Sequence, residues 1–435
     1  MREMKESGLG YLGTIPAHWK LERIKNHLCF SPERNPGNAT VLSLYREHGV
    51  VPKDSRDDNH NVTSEDTSNY RYVEIGDFVV NKMKAWQGSM AVSDYNGIVS
   101  PAYYVYHFKT DEVDRKYLHY LLRSKCYADE FRRMSGGIRV GQWDLSRNDF
   151  ESTYISVPPK DEQLKIAFFL DTQISKVDRL INSVQSQIEK IKSHKQSIIS
   201  QLVTMGCHPS VSTEDSGISW IGKIPSHWKV IRLKHLYDFS NGSPVRVGPF
   251  GSAMSGSDIT SEGVWVYNQR TVIDQNFETN DTFVSEEKAA ELSGFAVYPK
   301  DILITTRGSI GKTAIVPDNA PKGILHPCVI RFRIDEGIMD NNLLSLIFNE
   351  TNICLGQIMD MSNSTTIEVL YSYSLKEIWI PCPPLHEQKE ILLAIQEKIK
   401  KYNRLIEIKQ EKIEKLEQYK KSLIYEYVTG KKEVM

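Results

Sequence analysis

The sequence predicts a mixed α/β chain. Two globular domains alternate with two long helices that pair as an antiparallel coiled coil, and the whole forms a pseudo-twofold internal repeat. Three observations predict this. A motif near the start returns 209 residues later, and a second motif returns 225 residues after its first appearance. Each copy of the second motif is then followed by a long series of apolar residues at alternating spacings of three and four. The length of 435 residues, with 40% hydrophobic and 25% charged side chains, suits two or three folded domains.

The first motif reads GLGYLGTIPAHWK at 8–20 and GISWIGKIPSHWK at 217–229. Gly8, Gly13, Ile15, Pro16, His18, Trp19 and Lys20 recur as Gly217, Gly222, Ile224, Pro225, His227, Trp228 and Lys229. The second motif reads ISVPPKDEQ at 155–163 and IPCPPLHEQ at 380–388. The order is therefore segment, helix, segment, helix, with boundaries at 1–153, 154–206, 207–379 and 380–435. Between their matching ends the two segments are largely unlike, and the second is 16 residues longer.

Each Pro-Pro stops the element before it, and a helix opens behind it. In the first helix the seam runs through Leu170, Ile174, Val177, Ile181, Val184, Ile188, Ile191 and Ile198. The second places Ile395, Ile399, Ile406, Ile413, Leu416 and Leu423 at matching positions. Lys195 and Lys420 are equivalent polar seam residues. Such a seam needs a partner, and the other copy is the simplest one.

The segments themselves contain short β-like runs at 77–80, 103–108, 301–304 and 328–333. Helical stretches are expected at 114–133 and 340–359. Several loops combine basic, amide and aromatic residues with glycine: Lys82, Lys84, Trp86 and Gln87; Arg139 and Gln142; Arg246; Gln269 and Arg270; Thr305, Arg307 and Ser309. Arg and Lys suit guanine O6/N7 or phosphate, Gln and Asn suit adenine, and glycine lets backbone approach phosphate. These residues are the candidate contacts to double-stranded DNA.

A net charge of -1 excludes a uniformly basic nucleic-acid binder but not local patches. Split at the boundaries above, the segments carry 0, +2, -6 and +3. The six cysteines form no Cys-x-x-Cys pair, so a zinc ribbon or redox motif is not expected. The charged start lacks an apolar signal region, and no apolar run is long enough to span a bilayer, so a cytoplasmic protein is expected. Gly308–Thr313 resembles the end of a phosphate-binding loop, but Thr306 stands where that loop needs glycine. His386-Glu387 begins a zincin-like pattern whose fifth position is Glu390 instead of histidine. His18 and His227 read as structural partners of the adjoining tryptophans.

The doubled Gly-x-x-(Tyr/Trp)-(Leu/Ile)-Gly-x-Ile-Pro-x-His-Trp-Lys and Pro-Pro-x-x-Glu-Gln motifs resemble those of the specificity subunit of type I restriction–modification systems. Arg246–Ser252 and Asp301–Gly311 add to the likeness, which spans essentially the whole chain. The resemblance implies two target recognition domains, each reading one half of a bipartite asymmetric DNA sequence, and a helical spacer between them. It also implies two modification subunits, together with restriction subunits. S-adenosylmethionine, ATP and Mg²⁺ belong to those partners, with no cofactor or catalytic residue on this chain. The first segment lacks the Gly-Pro-Phe-Gly loop and carries Lys82–Ser89 where the second has Thr305–Gly311, which points to two recognition subtypes. The competing readings are a coiled-coil scaffold without DNA readout and a self-contained methyltransferase or nuclease.

Overall fold

A computed structural model describes residues 2–434 except 38, 47–48, 56–62, 65, 137–142, 241, 251–252 and 362–368. The chain forms two compact units, Met1–Gln185 with Gln410–Met435, and Ser186–Lys409. Each unit holds one globular segment and a portion of both long helices, Lys160–Met205 and Leu385–Val428.

In the first unit the doubled motifs are neighbours. Strand Lys20–Arg23 pairs antiparallel with Tyr154–Val157, setting Lys20 opposite Val157. The central sheet is antiparallel throughout, in the spatial order Leu28–Phe30, Tyr103–Phe108, Phe78–Asn81, Met90–Val92. Phe78, Val79 and Val80 are all fully buried, so this strand is covered on both faces. Two helices follow, Arg115–Arg123 and Lys125–Met134, where the sequence suggested one. The break is Ser124, whose backbone is extended. Trp19, Tyr106, Tyr117, Tyr127, Phe131 and Phe150 fill the core.

The second unit repeats this plan. Lys229–Arg232 pairs with Trp379–Cys382. Its sheet runs Val245–Val247, Val329–Phe332, Ile302–Thr305, Thr313–Ile315, again all antiparallel and in the same spatial order. The helices Asn341–Glu350 and Ile353–Met361 correspond to the pair in the first unit. This segment also has a second four-stranded sheet, in which Val264–Tyr267 lies parallel to Gly323–Leu325.

The long helices run antiparallel within each unit. In the first, the Phe169 and Tyr427 rings are 4.5 Å apart, and Lys420 Nζ donates to Asp178 at 2.7 Å. Leu170, Ile174, Val177, Val184 and Leu423 are buried; Ile181, Ile413 and Leu416 are half-buried. In the second, His194 faces Tyr402 at 5.7 Å and Lys409 Nζ donates to Gln187 at 2.6 Å. Ile188 and Ile395 are buried, and Ile191, Ile399 and Ile406 are half-buried. Near the end of the first helix the expected seam position Ile198 is only half-buried, and Ile199 is the fully buried residue. A straight helix drifts by about 20° per heptad, and here Ile199 and Val203 turn into the globular core. Lys195 does not end in the helix pair: it meets Glu350 at 3.1 Å.

Candidate nucleic-acid interface

The repeated motifs build the frame that presents the variable loops. Gln163 is fully buried at the start of its helix. Its Nε2 donates to the carbonyls of Glu112 and Pro158, and its Oε1 accepts the Asp114 amide. Gln388 does the same with Ile338, Pro383 and Asp340. Asp114 and Asp340 in turn cap the first helix of each globular pair. One residue earlier, Glu162 Oε2 accepts from Trp19 Nε1 at 3.0 Å and contacts His18 Nε2 at 2.9 Å. Glu387 holds Trp228 at 3.0 Å and His227 at 2.6 Å. The histidines are thus structural partners of the neighbouring tryptophans through a shared carboxylate.

The loop-bearing strands begin at a buried aspartate in both units. Asp77 accepts the Glu74 amide and meets His107 Nδ1 at 2.7 Å. Asp301, fully buried, accepts the Tyr298 amide and bonds both Arg331 and Arg333. The same turn is closed by Gly76 at φ 93° in one unit and by Lys300 at φ 67° in the other. The lysine holds a left-handed backbone that costs about 1 kcal/mol or more for a non-glycine residue.

In the second unit, the turn after Asp301 and its strand joins Ile302–Thr305 to Thr313–Ile315. Gly308 and Gly311 have φ of 61° and 81°, a left-handed geometry that lets the chain reverse tightly. Arg307 and Ser309 stand exposed on the turn. Gln269 opens the helix Gln269–Asp274 beside it: a Cβ on Gly308 would lie 3.3 Å from Gln269 Nε2. These three candidates therefore come together. Thr305 does not join them. It is fully buried, and its hydroxyl donates to the Ser309 carbonyl and accepts the Lys312 amide, so it ties the turn from inside. Arg246 is exposed on Val245–Val247, with its guanidinium 4.6 Å from the Phe295 ring centre. Arg270 is exposed and paired at 3.4 Å with both Asp274 and Asp281.

The corresponding loop of the first unit joins Phe78–Asn81 to Met90–Val92. Lys84 is exposed and has no ion-pair partner among the described residues. Lys82 is half-buried and held by Asp144 at 3.0 Å, so its charge is largely met within the protein. Trp86 and Gln87 are half-buried; the Trp86 ring lies 5.4 Å from Trp143. Arg139 and Gln142 lie outside the described residues, as do Gly251 and Ser252.

The two loops are docked alike: the Leu145 amide donates to the Lys82 carbonyl, and the Leu370 amide to the Thr306 carbonyl. That match brings in further residues. Arg132 sits 5.9 Å from the Trp86 ring centre and 5.7 Å from that of Trp143, close enough for cation–π attraction. Tyr371 and Tyr373, both exposed, stack at 5.2 Å beside Leu370. Their spacing in sequence gave no sign of this clustering, because 86, 132 and 143 meet only in the folded domain.

Among the described residues, Glu22, His27 and Glu112 form a cluster with metal-ligand chemistry. His27 presents Nε2 to Glu22 at 2.9 Å and Nδ1 to Glu112 at 3.9 Å. The two nitrogens face different carboxylates, yet neither makes a hydrogen bond in that geometry.

A duplicated frame that displays two unlike loop sets, Lys84 and Arg132 beside half-buried Trp86 and Gln87 in one unit and Arg307, Ser309, Gln269, Tyr371 and Tyr373 in the other, defines a two-site recognition protein. The chain belongs to the family described as type I restriction modification DNA specificity domain, which matches residues 33–190 and 225–418. It is 26% identical over 435 residues to the type I restriction enzyme MjaVIII specificity subunit of Methanocaldococcus jannaschii, covering 96% of this chain and 93% of that protein. It is 24% identical over 264 residues to the EcoBI specificity subunit of Escherichia coli, covering 58% of this chain and 53% of that protein. A solved chain from work on complex assembly and conformational transition of the type I R-M system shares the fold, with a TM-score of 0.64 and 15% identity, covering 95% of this chain and 98% of that one. No helix among the described residues is long and apolar enough to cross a membrane.

Proposed function

We propose that this chain is the non-catalytic specificity subunit of a cytoplasmic type I restriction–modification enzyme. Its two domains, 1–153 and 207–379, each read one half of a bipartite, asymmetric DNA target, and the two helical stretches form the spacer. The observation that carries this reading is the pairing of like frames with unlike loops. The same Gln, Glu, His and Trp contacts recur in both units, while Lys82–Ser89 and Thr306–Gly311 occupy the same docked position with different side chains.

Two modification subunits and the restriction subunits are the partners, and S-adenosylmethionine, ATP and Mg²⁺ act on them. The outer helix faces support a repeated docking site. Phe168 and Leu393 are equivalent by the 225-residue offset and are 75% and 68% exposed. Leu180 and Leu405, also equivalent, are 51% and 38% exposed. Large apolar side chains left in solvent at matching places on both helices suit two copies of one partner.

Methylome sequencing of the host with and without this chain tests the proposal. Loss of one bipartite adenine-methylation pattern on deletion is expected; an unchanged methylome refutes it. Within the retained pattern, Arg307→Ala should relax one half-site only. A well-placed bidentate base contact is worth about 1–3 kcal/mol of discrimination. Equal relaxation of both half-sites would contradict two independent readers.

A further inference from the structure

A cluster of guanidinium groups in the first unit lies outside the reading loop. Arg71, on strand Arg71–Val73, places its guanidinium carbon 4.8 Å from the Phe30 ring centre. Arg147, the first residue of helix Arg147–Ser152, places its own 4.7 Å from the same ring. Arg34 bridges to Arg71 through the backbone. The charges that answer them are few. Arg34 Nη1 donates to the Asn69 side chain, a neutral acceptor, and Arg147 meets Glu151 at 3.4 Å. Arg71 has no ion pair among the described residues, and its Nε is buried without a hydrogen-bond partner.

Like charges gathered around an aromatic ring repel one another, and a buried N–H without an acceptor costs desolvation energy. Burial, then neighbouring Arg34, and to a lesser degree Arg147, pull the Arg71 pKa below the usual arginine value. Tyr104 and Tyr106, on the adjoining strand, press it the other way. Tyr104 also links the cluster to the reading loop, because its hydroxyl donates to the Leu145 carbonyl, whose amide docks Lys82.

We propose that Arg34, Arg71 and Arg147 form a seat for a backbone phosphate of duplex DNA beside the first domain's reading loop. Phe30 holds two of the guanidiniums in place, and the phosphate supplies the missing negative charge. The proposal rests on the DNA-reading function above and adds a contact that positions the duplex without choosing its sequence. In the second unit two guanidiniums also share one ring, Arg331 and Arg333 over Tyr298, but there the Asp301 carboxylate pairs with both.

The test measures binding of the chain, co-purified with its modification subunits, to a duplex carrying the methylome-defined target and to a scrambled duplex, across a salt series. Arg34→Gln, Arg71→Gln and Arg147→Gln are compared with the unaltered complex. Arg34 is exposed, so its variant reports even where the others perturb folding. Loss of one phosphate contact should reduce the slope of log affinity against log salt by about 0.9 and weaken both duplexes by about tenfold. The methylated sequence should stay the same. Unchanged slope and affinity in a complex that still prefers its target overturns the inference, as does a changed half-site, which would make these residues base readers. A complex without any sequence preference instead overturns the underlying reading of the chain.

Discussion

Gln163 and Gln388 make the same three hydrogen bonds, with distances agreeing within 0.2 Å. More than seventy residues earlier in each half, the reading loops share a docking bond and almost nothing else. The difference separates two kinds of position. Where a side chain completes buried backbone groups, only one residue type has the right donors and acceptor, so the duplicated halves agree. Where a side chain ends in solvent, the frame places no demand on it, and the halves are free to differ.

The aspartates at the loop strands lie between these extremes and offer the largest test of the comparison. Asp301 is fully buried with Arg331 and Arg333, whose side chains are 9% and 18% exposed; Asp77 faces His107, which is 36% exposed. Removing one partner of a buried ion pair typically costs about 3–5 kcal/mol because the other charge remains without compensation. Asp301→Ala should therefore lower stability by about that amount. Asp77→Ala should cost about 1 kcal/mol, since His107 can rehydrate. Urea unfolding followed by hydrogen exchange of peptides from each unit reads the two separately. Equal losses would show that the two countercharges are interchangeable.

The frame should give the opposite result. Gln163→Leu and Gln388→Leu each leave one helix-capping amide and two carbonyls without their side-chain partner, for a loss of about 2–3 kcal/mol. The same exchange measurement should find the two losses within about 1 kcal/mol of each other. A larger gap would mean that matching geometry hides different energetics.

Much of this frame is legible in the sequence, and for a physical reason. The Pro-Pro stops, heptad spacing and doubled motifs are local patterns, and local patterns specify helices and repeats. The strand positions near 78–81, 103–108, 302–305 and 329–332 followed from runs of β-branched and aromatic residues. Arg307, Ser309 and Gln269 were found as candidates, and they meet. Thr305 was misplaced because alternation cannot tell that its hydroxyl closes the turn from within. Arg132, Arg133, Arg139 and Arg147 read from the sequence as local basic charge, but the two indoles beside Arg132 and the grouping of Arg147 with Arg34 and Arg71 do not, since each joins residues far apart in sequence. The single expected helix at 114–133 fails at Ser124, a residue whose side chain bonds the Leu121 carbonyl and favours a break.

Acid gives the smallest and most even-handed perturbation. Burial raises the pKa of Glu162, but hydrogen bonds from His18, Arg2 and Trp19 outweigh it and leave the carboxyl below its ordinary 4.5. Glu387 is likewise raised by burial and lowered further by His227 and Trp228. A carboxylate whose folded pKa is depressed stabilises the fold fully above its unfolded value. That contribution is lost as pH falls from about 4.5 through the lower folded value. Both anchors should thus loosen together on acidification. Glu162→Gln and Glu387→Gln should each remove part of the acid sensitivity, at a cost in stability at pH 7. Arg2→Ala should alter the acid response of the first unit alone, because Arg2 bonds Glu162 and has no counterpart among the donors to Glu387. Hydrogen exchange of the 8–20 and 217–229 peptides between pH 3 and pH 6, corrected for intrinsic rates, reads each anchor. An Arg2→Ala effect that appears equally at both would show that the two carboxylates do not titrate as separate anchors.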